Sequence, residues 1–331
     1  MEAAVKNVAV VGAGVIGRSW MQVFARAGCH TRVYDRDSGQ TDRALGWMKD
    51  ELELDVKERV VTAAQASARL AQITPTDDLG EALRGVGYVQ ESGPEDLSLK
   101  RVLYREMDSL SSPRAILASS TSAISITEIT DGLGGGNRCI IAHPVNPPHV
   151  IPVVEVLGGE RTDPEVIKRT KDFLASVGQR PVVMRSYVPG FLLNRMQTAL
   201  LREAINLLQS GVAELADIDA TISEGLGLRW AILGPFGVAQ TNADGGVREY
   251  FARYRQTYLD IASDLRPFSL FDDELVEKLG QGMDAMLSGV PASAVRRRRD
   301  RLIRQICTLK LGHPTKHTSQ CKKGKSKTSS K

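Results

Sequence analysis

No apolar run in this 331-residue chain approaches the ~20 residues that a helix needs to cross a bilayer, so a membrane-spanning helix is excluded at the outset. Cysteine is scarce as well. Cys29, Cys139, Cys307 and Cys321 form no C-x-x-C pair, which argues against both a disulfide framework and a cysteine metal cluster; Cys29 and Cys139 read as small core residues in or beside apolar runs. Aromatics make up only 5% of the chain and are not interleaved with the arginine run Arg296 to Arg299. That run therefore reads as the solvated face of an amphipathic helix, and no nucleic-acid partner is expected. The first strand begins by about Val5, too early for a secretory or transit leader, and a cytoplasmic location is expected. The net charge of +4 is not spread over a fold, because Lys322, Lys323, Lys325, Lys327 and Lys331 crowd the last ten residues. From Gly312 to Lys331 the chain is basic, rich in Ser and Thr and nearly without large apolar residues, and a disordered tail is expected there.

What remains is ordinary globular sequence, 42% hydrophobic and 25% charged, and too long for one core. Val8-Ala9-Val10-Val11 reads as a buried strand. It runs at once into Gly12-Ala13-Gly14-Val15-Ile16-Gly17 and then into helical spacing from Arg18 to Ala25, which is the dinucleotide fingerprint in its required strand–turn–helix context. Gly12 permits the tight turn, Gly14 lets the backbone approach a pyrophosphate, and Gly17 lets helix and strand pack closely. A second strand, Thr31 to Tyr34, ends at Asp35, where a carboxylate binds both ribose hydroxyls and repels a 2′-phosphate, so the cofactor expected is NAD rather than NADP. Residues 38 to 70 read as helix or paired helices in a solvated insertion. Ile73 and Val86 to Val89 mark further strands, and Gln90 to Lys100 reads as a loop entering a helix whose first acidic residues are caps. Pro164 to Val177 reads as helix and Pro181 to Met184 as the last strand. Beyond Gly190 the spacing of Phe191, Leu192, Met196, Leu200, Leu201, Ala204, Ile205 and Leu208 predicts a long amphipathic helix, with Pro189 in its first turn and Gly211 at its end, opening an all-α domain.

The chemistry concentrates between Ala118 and Val156. Ala115 to Ser119 and Cys139 to Ala142 read as buried strands of an α/β sheet, and ligands sit outside the carboxyl ends of such strands. Ser122, His143 and Asn146, just past those ends, are thereby candidates to face the site. His143-Pro144-Val145-Asn146-Pro147-Pro148 carries three prolines and reads as a stiff loop rather than a helix. Glu155 is a carboxylate in the otherwise apolar Pro152 to Val156 and needs a partner, for which His143 is the sensible choice. A histidine backed by a carboxylate makes a general acid/base; a satisfied structural histidine is the plainer alternative. Asn194 falls at the domain junction. Arg229 stands in Gly227 to Pro235, near a Ser223-Glu224-Gly225 turn, as a guanidinium among apolar residues. It is a candidate partner for a substrate carboxylate, with pairing to Glu224 as the alternative.

Several of these stretches, together with Pro94-Glu95-Asp96-Leu97, Ser119-Ser120-Thr121-Ser122, Gly190-Phe191-Leu192-Leu193-Asn194-Arg195 and Ser223-Glu224-Gly225-Leu226-Gly227, resemble the short-chain L-3-hydroxyacyl-CoA dehydrogenase superfamily from about residue 7 to 310. The resemblance implies a Rossmann-type, mostly parallel sheet over 1–187, an all-α substrate and dimerisation domain over 188–311, and the basic tail over 312–331. It further implies that His143 is the catalytic base, that Glu155 is its carboxylate partner, and that Ser122 and Asn194 hold the substrate oxygen. Val15, Ile16, Asp35, Glu95 and Lys100 would contact NAD, and the chain would be a homodimer. Acyl-CoA members usually carry aromatics after the histidine, where this chain has Pro144-Val145-Asn146, so the expected substrate is a free 3-hydroxy acid such as L-gulonate. The alternatives are a hydroxyacyl-CoA or carnitine-type dehydrogenase and a structural protein without catalysis.

Overall fold

The structure, a computed structural model, describes residues 5–265 and 272–312; all but the first residue of the expected tail lies outside them. The chain divides into two compact units between Arg195 and Met196, which puts Asn194 in the unit that holds the sheet.

The first unit runs β1 (Asn7–Val11), α1 (Val15–Arg26), β2 (His30–Tyr34), α2 (Ser38–Lys57), α3 (Ala63–Leu70), β3 (Ile73–Thr76), α4 (Leu79–Leu83), β4 (Tyr88–Glu91), α5 (Leu97–Leu110), β5 (Ile116–Ser119), α6 (Ile126–Ile129), β6 (Cys139–Pro144), β7 (Val153–Gly158), α7 (Pro164–Ser176) and β8 (Arg180–Val183). The strands form one sheet in the order β3-β2-β1-β4-β5-β6-β7-β8. Pairing is parallel except between β6 and β7. Both faces are covered, which is why the central strands β4, β5 and β6 are largely apolar, with polar residues only toward their carboxyl ends. Val8 and Val10 of β1 pack with Trp20, Phe24, Tyr88 and Phe173 on one side. Ala9 and Val11 pack with Tyr104, Leu117 and Phe191 on the other.

Three expectations change here. Helix α2 is no solvated insertion, since Thr41, Ala44, Met48, Leu52 and Asp55 are buried along one face and its apolar residues join the core around Trp20. Its charged residues simply outnumber that stripe. Gln90 and Glu91 are not loop but the fully buried end of β4. His143 and Pro144 close β6 instead of opening the loop, because the antiparallel register carries the pairing on to His143↔Glu155 and Pro144↔Val154.

The second unit, from Met196, is helical: most of α8 (Leu193–Gln209), then α9 (Leu215–Ala220), α10 (Gly227–Ile232), α11 (Pro235–Thr241), α12 (Gly246–Asp264), α13 (Asp273–Leu287) and α14 (Ala292–Gly312). The expected turn at Ser223-Glu224-Gly225 is absent. Thr221–Leu226 is instead a π-helical stretch joining α9 to α10 without a break. Gly227 donates its N–H to the Ile222 carbonyl there, and a Cβ at Gly227 would lie 2.6 Å from that oxygen, so the wide turn needs glycine at this position. Among the described residues no helix is long and apolar enough to cross a membrane.

Candidate active site

The turn after β1 explains its glycines by contact. Gly12 has φ +97°, and a Cβ there would meet the Ser92 carbonyl at 2.6 Å; a Cβ on Gly17 would meet the Gly12 carbonyl at 1.8 Å. Among the described residues nothing lies within 4 Å of a Cβ built at Gly14. The space over this turn is therefore open, and Gly14 caps α1 without any side-chain acceptor, so the amides of the first turn, Val15 and Ile16 included, remain available to an anion. Asp35 stands at the end of β2, its Oδ2 accepting the Ala13 N–H at 2.7 Å and its Oδ1 the Asp37 N–H at 3.0 Å. An open, amide-lined cradle with a carboxylate beside it has the donor and acceptor set of a dinucleotide site: amides for the pyrophosphate, Asp35 for the ribose hydroxyls.

At the carboxyl end of β6, His143 is almost wholly buried and its Nδ1 lies 2.8 Å from Glu155 Oε2. The remaining oxygen, Oε1, accepts the N–H groups of Leu192 at 2.8 Å and Leu193 at 2.9 Å. Burial alone would push this carboxyl up; the hydrogen bond from His143 and the amides of Leu193 and Leu192 outweigh it and hold Glu155 below its ordinary value. The helix expected from Gly190 with Pro189 in its first turn begins only at Leu193, because Gly190 and Phe191 take φ values of +77° and +51°, which no right-handed helix admits. Glu155 fills the place of that helix's missing cap.

Ser122 lies in the loop after β5, gathered by Glu95. The Glu95 Oε1 accepts from Thr121 Oγ1 at 2.6 Å, from the amides of Ser122 and Ala123 at 2.9 and 3.1 Å, and from Ser122 Oγ at 3.3 Å. The ordinary helix cap is the neighbouring Asp96, which accepts the Leu99 N–H. Lys100, expected toward the cofactor, is buried with its Nζ 2.7 Å from Glu91 Oε1 and 3.8 Å from Glu95 Oε2. Glu91 also accepts from Ser119 Oγ and from the Gly93 amide, each at 2.6 Å. Sequence reasoning missed Glu91, although a carboxylate closing an apolar strand is the same signal that singled out Glu155. Asn146 is exposed beyond β6 and Asn194 half-buried at the start of α8. Arg229 lies in the second unit, exposed rather than enclosed, with no ion pair to Glu224; the nearby Tyr258 hydroxyl is raised above its ordinary value by its hydrogen bond with Tyr250 and by burial, which the charge of Arg229 only partly offsets. Among the described residues no group of His, Cys, Asp and Glu is placed to hold a metal.

Residues 7–187 match the model of the 3-hydroxyacyl-CoA dehydrogenase NAD-binding domain, and residues 190–283 match that of the 3-hydroxyacyl-CoA dehydrogenase C-terminal domain. The chain belongs to the 3-hydroxyacyl-CoA dehydrogenase family. Within that family it is 34% identical to lambda-crystallin of Oryctolagus cuniculus over 93% of this chain and 97% of that protein. It is 35% identical to an L-carnitine dehydrogenase of Streptomyces coelicolor over 91% of this chain and 94% of the relative. A solved 5-formyl-3-hydroxy-2-methylpyridine 4-carboxylic acid 5-dehydrogenase, an NAD+-dependent dismutase, superposes with a TM-score of 0.75 at 27% identity, covering 94% of this chain and all of that one. The family fixes the general chemistry as NAD-dependent oxidoreduction, and the open turn above Gly14 with Asp35 beside it fits that cofactor.

Proposed function

We propose that this chain oxidises the 3-hydroxyl of a small free hydroxy acid, L-gulonate foremost, to the ketone. The observation that carries the reading is the His143–Glu155 pair. With Nδ1 bonded to a carboxylate, the imidazole keeps its proton there and leaves Nε2 as the acceptor for a substrate hydroxyl. Ser122 and Asn194 hold the substrate oxygen while that proton moves, and Asn146 contacts the polyol. The chemistry supplied by bound NAD is acceptance of the hydride from the same carbon. After the reaction His143 is an imidazolium beside an ionised Glu155, so the proton it has taken is stabilised where it was received.

The choice of a free acid rests on three supports. The residues after His143 are Pro144, Val145 and Asn146, without the aromatics usual in acyl-CoA members. Two of the relatives are named for small acids, L-carnitine and a pyridine carboxylate. Arg229 supplies a cation whose fork suits a carboxylate. A homodimer through the helical unit belongs to the same reading, since Leu200, Leu201, Phe236, Leu259 and Ile261 all stand exposed there.

A panel of L-gulonate, 3-hydroxybutyrate, L-carnitine and 3-hydroxybutyryl-CoA, each followed by NADH formation, tests the proposal. The free acids, L-gulonate first, are expected to exceed the thioester in kcat/KM by about tenfold or more, the scale of one charged hydrogen bond. A panel led by the thioester would return the acyl-CoA assignment, and no turnover of any member would favour a structural role.

A further inference from the structure

We propose that Phe191 is a positioning residue for the His143–Glu155 pair, one that aligns the base through both its ring and its backbone. The inference rests on the reading of His143 as the base. Three described non-glycine residues have positive φ: Arg59, Phe191 and Ser288. Arg59 and Ser288 are exposed and follow the carboxyl ends of α2 and α13, where a left-handed residue commonly ends a helix. Phe191 has no such reason. It is fully buried and precedes a helix, and a left-handed bend in such a place is kept only where its surroundings hold it.

Its backbone does one task. Gly190 and Phe191 together turn the chain, the Phe191 N–H bonding back to the Val188 carbonyl at 3.0 Å, so that the next two amides, Leu192 and Leu193, converge on Glu155 Oε1. With that oxygen occupied, Oε2 is the one left for His143. The ring does a second task. Its centroid is 5.5 Å from that of His143 with the planes inclined at 60°, an edge-type contact that resists swinging of the imidazole about its bond to Glu155. The same ring meets Tyr187 at 6.2 Å and 80°, and the Tyr187 hydroxyl donates to the Ala123 carbonyl at 3.0 Å, next to Ser122. One residue thus meets the base with its ring, presents the next two amides to the carboxylate through its backbone turn, and reaches the Ser122 loop through Tyr187.

Helical spacing makes Phe191 look like filler, and filler predicts a different result from alignment. Phe191→Leu keeps the apolar volume and loses the ring edge; Phe191→Met does the same with a side chain that adapts to the pocket. Each is compared with wild type and His143→Ala, using L-gulonate or whichever panel alcohol the wild type oxidises fastest. The measurements are NADH binding stoichiometry, kcat, KM and the solvent deuterium isotope effect on kcat. The expected result is a fall in kcat on the order of tenfold to a hundredfold, with stoichiometry and KM near wild type and a larger isotope effect, because proton transfer to a misaligned imidazole limits the rate. A fall that merely tracks lost NADH sites, or one with an unchanged isotope effect, would overturn the role and leave Phe191 as packing. Wild-type kcat in both variants beside an inactive His143→Ala would overturn the role of Phe191 alone. An active His143→Ala would overturn the base and the positioning residue together.

Discussion

His143→Ala lowers kcat by roughly 10²–10⁴, the contribution of one placed general base, while the dissociation constant for NADH stays near wild type. The two effects separate because the imidazole lies at the end of β6 and the cofactor turn follows β1, each held by its own contacts. Glu155→Gln is expected to be nearly as severe, for a reason the hydrogen bonds supply. The Leu192 and Leu193 amides require an acceptor and fix the carbonyl of a glutamine at Oε1. The amide nitrogen then faces His143 Nδ1 and donates to it, which forces the ring proton onto Nε2, the nitrogen that must accept the substrate proton. A kcat for Glu155→Gln close to wild type, measured in steady state with saturating NAD+, would show that tautomer control plays no part.

Arg229→Met raises KM for L-gulonate by about a hundredfold, the ~2–3 kcal/mol of a charged hydrogen-bonded contact. Because the guanidinium is exposed in the chain and unpaired with Glu224, its loss strands no internal acid, and the variant is expected to fold with an unchanged melting temperature. Oxidation of 3-hydroxybutyryl-CoA, which has no free carboxylate beside its carbinol, serves as the internal control. An unchanged KM for gulonate in the folded, NADH-binding variant would remove Arg229 from the site.

The parts legible in the sequence were those whose signal is local. The β1 turn announces itself through Gly12, Gly14 and Gly17 within six residues, and the contacts made by a hypothetical Cβ at Gly12 and Gly17 give the reason for two of them. Glu155 is legible because a carboxylate in an apolar strand must find a partner, and the β6–β7 register delivers His143 directly opposite. Glu91 offers the same signal, yet its partner Lys100 arrives nine positions later after a turn and a helix start, and only the folded chain brings the ammonium under the sheet end. Phe191 was hidden for a different reason: its apolar spacing continues that of α8, and nothing in the residue type betrays a left-handed backbone. The π-helical stretch was equally silent, because Ser223-Glu224-Gly225 has the composition of a turn while Gly227, the residue whose missing Cβ permits the wide helix, lies two places beyond it. Helix α2 misled through its many charged residues, although five residues on one face suffice to seat it on the core.

The most direct measurement of the central claim follows L-gulonate carrying deuterium at C3 through one turnover with NAD+. Slower formation of reduced cofactor than from unlabelled gulonate, with the deuterium recovered on the nicotinamide, is the predicted result. Deuterium retained in the sugar acid, or no reduced cofactor from gulonate under conditions in which 3-hydroxybutyryl-CoA is oxidised, would contradict it.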